Sequence, residues 1–467
     1  MIYSAAALRA LFLIALLVPG LLLGCGTSGV GENQASDSAP YAVGSTTLFI
    51  HDHSRPFDAV AGVDTGVRSL ITELWYPVAH RVITPVMQPA TYGDYVFGNR
   101  DVHRLMMTQT TFFHLTPQSV RAGVSQAQID AAIDELFHRP RGSYTDAPAA
   151  DGKPWPVVLV SHGDAGSRYN MESVSEFLAA RGYLVVAAEH TGNSPYAMIG
   201  ADPDLAANGG DPALLEAMRQ VLPLLDDNGV YGSHFNYGQS YSPLGEGGVF
   251  PDGQLSPSGA VNLDRALLER VNDLRAVLDT LEAMNQSGRF AGKIDLSRVG
   301  LIGRSFGGST VLAGLALEPR FQAGVAVVPP SLLDLRPLLP AELLVQPPEE
   351  SVLLSAQKAS TPYRLHKPTL LLVSAEDRAV IGTAALLAKL TGTAPPTPEH
   401  PYPALEAAFN NADVPVAYAS LSNANHGSCA VSGPYWWPHL KPDTFPRFFA
   451  PDESYQLIEA SSAHRIQ

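Results

Sequence analysis

Seven segments of the chain are apolar enough to read as strands: Val67–Tyr76, Pro156–Ser161, Tyr183–Glu189, Arg298–Gly303, Ala323–Val328, Thr369–Ser374 and Val414–Ser422. Several are continuous apolar runs without alternation. Strands buried on both faces of a mainly parallel sheet carry this signature, because neither face meets water. Between them, Leu267, Leu268, Val271, Leu274, Leu278 and Leu281 recur at helical spacing, and Asp264, Arg265, Glu269, Arg270, Asp273 and Arg275 fill the other positions. The pattern predicts an amphipathic crossover helix. Further helices are predicted over Met171–Arg181, Gly308–Leu317 and Thr383–Leu390, giving the βαβ alternation of an open α/β sheet with helices on both faces. Residues 92–150, 192–260 and 330–366 keep neither rhythm. They read as three insertions above the strand ends, where loops can be long and can line a site.

The N-terminus follows a different rule. After Arg9 an apolar run, Ala10 to Leu23, is broken only by Pro19 and Gly20. It is too short for a stable span and reads as a signal peptide over residues 1–24. Leu22-Leu23-Gly24-Cys25 resembles the bacterial lipobox, in which the cysteine is diacylated and becomes N-terminal. The residues after it are small and polar, so 25–45 reads as a lipidated cysteine with a flexible tether and 46–467 as the folded domain. This resemblance implies an exported protein held to a membrane of the cell envelope by its lipid. Gly26 after the cysteine, in place of aspartate, points to the outer membrane.

Composition removes several function classes. A chain of 467 residues can bury a substantial core, either as one large domain with insertions or as two. With 46% hydrophobic and 16% charged residues, wholesale disorder is excluded. The formal charge of −15, without a basic stripe, repels phosphate backbones and excludes nucleic acid as a partner. Cys25 and Cys429 are the only cysteines, so neither a disulfide framework nor a thiolate zinc site can be built. His51-Asp52-His53 has metal-ligand residue types, but alternate strand residues point to opposite faces and no further ligands accompany it. It reads as a solvated loop, and no metal is expected.

The strongest chemical signal is Gly303-Arg304-Ser305-Phe306-Gly307-Gly308, between the apolar strand RVGLIG and the helix STVLAGLAL. A G-x-S-x-G turn in this context holds serine in a strained conformation with its oxygen exposed, and Gly303 and Gly307 are small because strand and helix pack closely there. The following helix adds positive potential at its N-terminus, where an oxyanion would develop. Ser305 is therefore the candidate nucleophile. Serine needs a histidine base oriented by a carboxylate, and both are expected later in the chain. Ala375-Glu376-Asp377 follows the buried strand Thr369–Ser374, making Asp377 the candidate acid, with Glu376 in reserve; either could instead cap the helix beginning near Ile381. His426, in the loop after the last strand, is the candidate base.

Ser161-His162-Gly163-Asp164 ends another strand, and a backbone N–H there can help bind an oxyanion. Asp164 and Phe306 are the expected donors. His162 and Gly163 are read as supports of that loop.

Together, HG after a strand, the GxSxGG elbow preceded by DLSRVGLIG, and Leu74-Trp75-Tyr76-Pro77 in the early strand resemble the platelet-activating factor acetylhydrolase and dienelactone hydrolase-like group of α/β-hydrolases. The likeness covers residues 67–77, 154–190 and 262–430 and none of the three insertions. It implies an α/β-hydrolase fold and hydrolysis of a small or lipid-like carboxylic ester with no cofactor. Two departures stand out. In the animal acetylhydrolases the acid follows the strand after the nucleophile helix, where this chain ends its strand in Val328. Dienelactone hydrolase proper uses cysteine where this elbow carries Ser305. The same triad would serve an amide or peptide hydrolase, and a binding lipoprotein that kept the fold without activity is a further reading.

Overall fold

The computed structural model describes residues 39–96, 100–106, 125–164, 166–194, 257–330, 364–422 apart from scattered positions between 376 and 391, and residues 424 and 426. Its strands are β1 (Ala42–Asp52), β2 (Arg68–Val78), β3 (Ser143–Thr145), β4 (Trp155–Ser161), β5 (Leu184–Ala188), β6 (Ile294–Arg304), β7 (Phe321–Val327), β8 (Thr369–Ser374) and β9 (Val416–Leu421). They form one sheet in the order β3-β1-β2-β5-β4-β6-β7-β8-β9. Only β2 runs against its neighbours; β5, β4, β6, β7, β8 and β9 pair in parallel. The connection from β4 steps one way to β5, and the next strand, β6, returns to the other side of β4. The carboxyl ends of β4 and β6 therefore flank the switch point at which open α/β sheets bind ligands.

The helices are α1 (Arg100–Met106), α2 (Gln126–His138), α3 (Glu172–Ala179), α4 (Pro257–Met284), α5 (Phe306–Leu317) and α6 (Pro403–Asn410). The central strands are apolar at consecutive positions because both faces are covered. Val158, Val160, Ile302, Val325 and Leu370 pack with Ile133 and Phe137 of α2 and Leu178 of α3. Their alternates Val157, Leu159, Leu301, Ala326 and Leu371 pack with Leu274 and Leu278 of α4, Leu312 of α5 and Leu405 of α6. Each fully buried aliphatic side chain of this kind contributes about 1.5–3 kcal/mol.

Three expectations need correction. First, β1 begins at Ala42, inside the stretch 25–45 expected to be a tether, and His51 and Asp52 close that strand where a solvated loop was expected. Its pairing with β2 is continuous from Ala42↔Val78 to Asp52↔Arg68. Gly44 is part of the reason, since a Cβ there would lie 2.4 Å from the Tyr76 ring. Second, residues 92–150, expected to keep neither rhythm, supply a strand and a helix: β3 extends the sheet's edge beside β1, and α2 packs on the turn at Tyr92–Tyr95 and shares an apolar cluster with one face of the sheet. The helix α2 opens with a capping box, Ser125 Oγ accepting from the Gln128 N–H and Gln128 Oε1 from the Ser125 N–H. Third, the polar positions of α4 are not all solvated: Asp264, Arg270 and Asp273 are buried. The expected signal peptide over residues 1–24, Cys25, Glu376, Cys429 and most of the 192–260 and 330–366 stretches lie outside the described residues.

Glu172, at the start of α3, is buried and accepts hydrogen bonds from Tyr92 Oη and, at 3.0 Å, from Tyr95 Oη. Burial, then the charge of neighbouring Glu176, push its carboxyl up to about 8 from 4.5. The folded protein thus holds this proton more tightly than the unfolded chain, and the resulting stability is lost as pH rises from the unfolded value through the folded one. Glu172→Gln keeps the shape and removes the titration. Urea midpoints are expected to fall less steeply between pH 5 and 8 in this variant, and equal slopes in the two proteins would contradict the assignment.

Candidate active site

Ser305 occupies the sharp turn between β6 and α5, with φ 56° and ψ −125°. Non-glycine residues held in such a conformation cost about 1–3 kcal/mol, so the surroundings must enforce it. Here they do. The Ser305 N–H donates to Val327 O at 2.8 Å, tying the turn to β7. A Cβ on Gly303 would come within 2.1 Å of Gly307 O, and one on Gly307 within 2.0 Å of Ser161 O. Both positions require glycine because the backbones of β6, α5 and β4 touch.

The structure brings the three candidate side chains into one chain of hydrogen bonds. His426 Nε2 lies 2.9 Å from Ser305 Oγ, and His426 Nδ1 lies 2.7 Å from Asp377 Oδ2. Asp377 is fully buried, while the His426 side chain keeps 22% exposure. The other Asp377 oxygen, Oδ1, accepts from the Val380 N–H at 3.0 Å. The capping and histidine-orienting roles weighed for Asp377 thus fall on the two oxygens of one carboxylate. Val328, where the acetylhydrolase resemblance would put the acid, is wholly buried among apolar side chains.

The loop after β4 runs alongside Ser305: a Cβ on Gly163 would lie 3.2 Å from Ser305 Cβ. His162 Nδ1–H donates to Gly163 O at 2.6 Å, and Nε2 accepts from the His190 N–H at 3.1 Å. Burial, then the Arg270 charge, hold its imidazole well below the ordinary value, so it is a neutral ring with both nitrogens engaged by backbone. Asp164 is exposed, and its Oδ1 accepts from Asn193 Nδ2 at 2.6 Å. Phe306 is the first residue of α5, where first-turn N–H groups have no intrahelical acceptor.

A second Ser-His-Asp chain lies beneath this one. Ser161 Oγ is 3.0 Å from His190 Nε2, and His190 Nδ1 is 2.9 Å from Asp273 Oδ2. Its members are sealed at 1%, 0% and 0% exposure, and Arg270 Nη2 donates to Ser161 Oγ. Burial, then Arg270, push His190 down to about 3, which leaves a neutral ring unfit to take a proton. Burial alone would raise Asp273, but Arg68 and Arg55 outweigh it and hold the carboxylate far below its ordinary range. The strained backbone of Ser305 and the 22% exposure of its histidine partner, against 0% for His190, separate the candidate nucleophile from this internal copy. Among the described residues no cluster of three His, Cys, Asp or Glu side chains is arranged to hold a metal; His51 Nδ1 instead pairs with Ser69 Oγ at 2.9 Å.

Sequence reasoning passed over Arg304. Its Nε donates to the main-chain carbonyl of His426 at 3.1 Å, and Nη2 donates to the same oxygen. The residue before the nucleophile thereby anchors the loop that carries the imidazole. Its position inside the elbow was the available signal.

The sheet order, the elbow and the two following loops define an α/β-hydrolase fold. The family model of platelet-activating factor acetylhydrolase, isoform II, matches residues 132–216 and 264–330. The chain is similar to the platelet-activating factor acetylhydrolase of Canis lupus familiaris, 24% identical over 39% of this chain and 36% of that one. It is also similar to the enzyme of that name from Gallus gallus, 24% identical over 42% of this chain and 44% of the relative. The matches thus span less than half of these relatives' lengths. A ferulic acid esterase from Streptomyces cinnamoneus shares the fold, with a TM-score of 0.52 and 19% identity over 92% of this chain and 88% of that one.

Proposed function

We propose that the protein is a serine hydrolase of carboxylic esters. Ser305 attacks the ester carbonyl, and His426 takes the hydroxyl proton at Nε2 and delivers it to the leaving alcohol. Asp377 accepts from Nδ1–H, fixing the tautomer and stabilising the imidazolium. The N–H groups of Asp164 and Phe306 hold the oxyanion, and water, activated by the same imidazole, releases the acyl group. The observation that carries the reading is the unbroken contact from Ser305 Oγ through His426 to Asp377, at 2.9 and 2.7 Å, on a strained serine. The acetylhydrolase name of the relatives supports ester cleavage, with a small or lipid-like ester as substrate. A fluorophosphonate probe followed by peptide mapping tests it, together with rates on p-nitrophenyl esters of increasing chain length. Labelling is expected at Ser305; labelling at another serine, or no ester turnover, would refute the assignment.

The lipobox-like residues Leu22 to Cys25 support a second proposal, that Cys25 carries lipid and holds the enzyme at a membrane of the bacterial cell envelope, the outer one by the Gly26 argument. Cys25→Ser is expected to abolish incorporation of a labelled fatty acid and to release the protein from the membrane fraction or leave it as precursor. A wild-type protein that takes up no label would exclude the anchor.

A further inference from the structure

Arg270 of α4 is 1% exposed and takes no part in the proton transfers above, yet its guanidinium reaches the supports of both proposed oxyanion donors. Nε donates to Thr310 Oγ1 at 2.9 Å, and Thr310 Oγ1 donates in turn to the carbonyl of Phe306 at 2.9 Å. Nη2 donates to the carbonyl of His162 and, at 3.0 Å, to Ser161 Oγ. Nη1 donates to Asn193 Oδ1, and Asn193 Nδ2 donates to Asp164 Oδ1 at 2.6 Å. The guanidinium carbon sits 4.9 Å from the centre of the Phe306 ring. One planar fork therefore ties together the end of β4, the loop after β5 and the first turn of α5.

We propose that Arg270 is the positioning residue of the oxyanion hole and that Asn193 passes its constraint to Asp164. The proposal rests on the reading of Ser305 as nucleophile and of Asp164 and Phe306 as donors. An oxyanion hole works only if its donors already stand about 2.7–3.1 Å from where the charge will form. One of the two donors here, Asp164, follows Gly163 on the loop after β4 and is itself exposed, so packing of its own side chain does little to fix it. The other belongs to a different element; the backbones of β4 and α5 meet at Gly307, and beyond that contact their relative placement depends on side chains that bridge the two. Arg270 is that bridge. Lysine cannot replace it, because three donors on a single nitrogen do not span four acceptors set around a plane.

The test uses the full chain carrying Arg270→Lys or Asn193→Ala, read by steady-state hydrolysis of p-nitrophenyl acetate and by inhibition with a trifluoromethyl ketone, whose adduct with serine places an oxyanion in the hole. Arg270→Lys is expected to lower kcat by about 10- to 100-fold with KM within about threefold, and to weaken the ketone by a factor similar to the loss in kcat. Asn193→Ala, which leaves the other acceptors of Arg270 in place, is expected to shift the same two quantities by about 3- to 10-fold. A merely structural role would lower the melting temperature and leave the folded enzyme's kcat and ketone affinity unchanged; that result would overturn the proposal. If Arg270→Lys does not fold, Asn193→Ala alone decides. Ser305→Ala separates the two levels: activity that survives it defeats the nucleophile reading, whereas Ser305-dependent activity untouched by both variants defeats only the role of Arg270.

Discussion

Ser305→Ala is expected to lower ester turnover by about 10⁴-fold or more and to abolish fluorophosphonate labelling, with the melting temperature little changed. The magnitude follows from what the side chain does in the proposed cycle: without Oγ there is no acyl-enzyme, and only binding and the oxyanion hole remain. Stability is spared for a local reason. The turn is held by the Ser305 N–H to Val327 O bond and by the glycine contacts at positions 303 and 307, none of which involves Oγ. Ser161→Ala offers the contrast within the same molecule. It removes the hydroxyl that links His190 to Arg270, leaving two buried polar groups short of a partner, at a cost of about 1–3 kcal/mol in stability. Labelling at Ser305 is expected to persist in that variant. Undiminished hydrolysis by folded Ser305→Ala would overturn the site.

The two serines also show what a linear pattern can carry. Ser305 is legible because its chemistry is local: a strand, a strained turn and a helix follow one another within a few residues, and the glycines sit where backbones must touch. Asp377 and His426 are legible for a similar reason, Asp377 following the buried strand β8 and His426 the outer strand β9. Ser161, His190 and Asp273 are not, since their partners come together only in the folded chain; Arg68, which pairs with Asp273 at 2.7 Å, is 205 residues away in sequence. Periodicity therefore put Arg270 and Asp273 on the water side of α4 along with Arg265, and only Arg265 is exposed. Charges three residues apart can share a helix face, but nothing in the sequence says that the opposing face supplies their counter-charges. Strand β1 escaped for a different reason. Its first residues, Ala42 to Ser45, look like the end of a tether, and they form a strand because β2 supplies a continuous partner and the Tyr76 ring fills the space over Gly44.

Asp377→Asn is expected to lower turnover by about 10³- to 10⁴-fold with the fold retained. The size depends on which way the new amide faces. In the native protein Oδ1 accepts from the Val380 N–H and Oδ2 accepts from His426 Nδ1–H. Asparagine can satisfy Val380 only with its carbonyl oxygen, which turns the NH₂ toward His426. Nδ1 must then accept, and the ring's proton moves to Nε2, facing Ser305 Oγ. An imidazole in that tautomer cannot take the serine proton, and the imidazolium has no carboxylate beside it. Asp377→Ala removes the cap as well and is expected to cost about 1 kcal/mol more in stability than the asparagine variant. Kinetics and melting curves on the two variants thus separate the two duties of this carboxylate. Glu376→Gln serves as the control and is expected to change turnover little. Full activity in Asp377→Asn, with activity lost in Glu376→Gln, would move the acid one residue back along the chain.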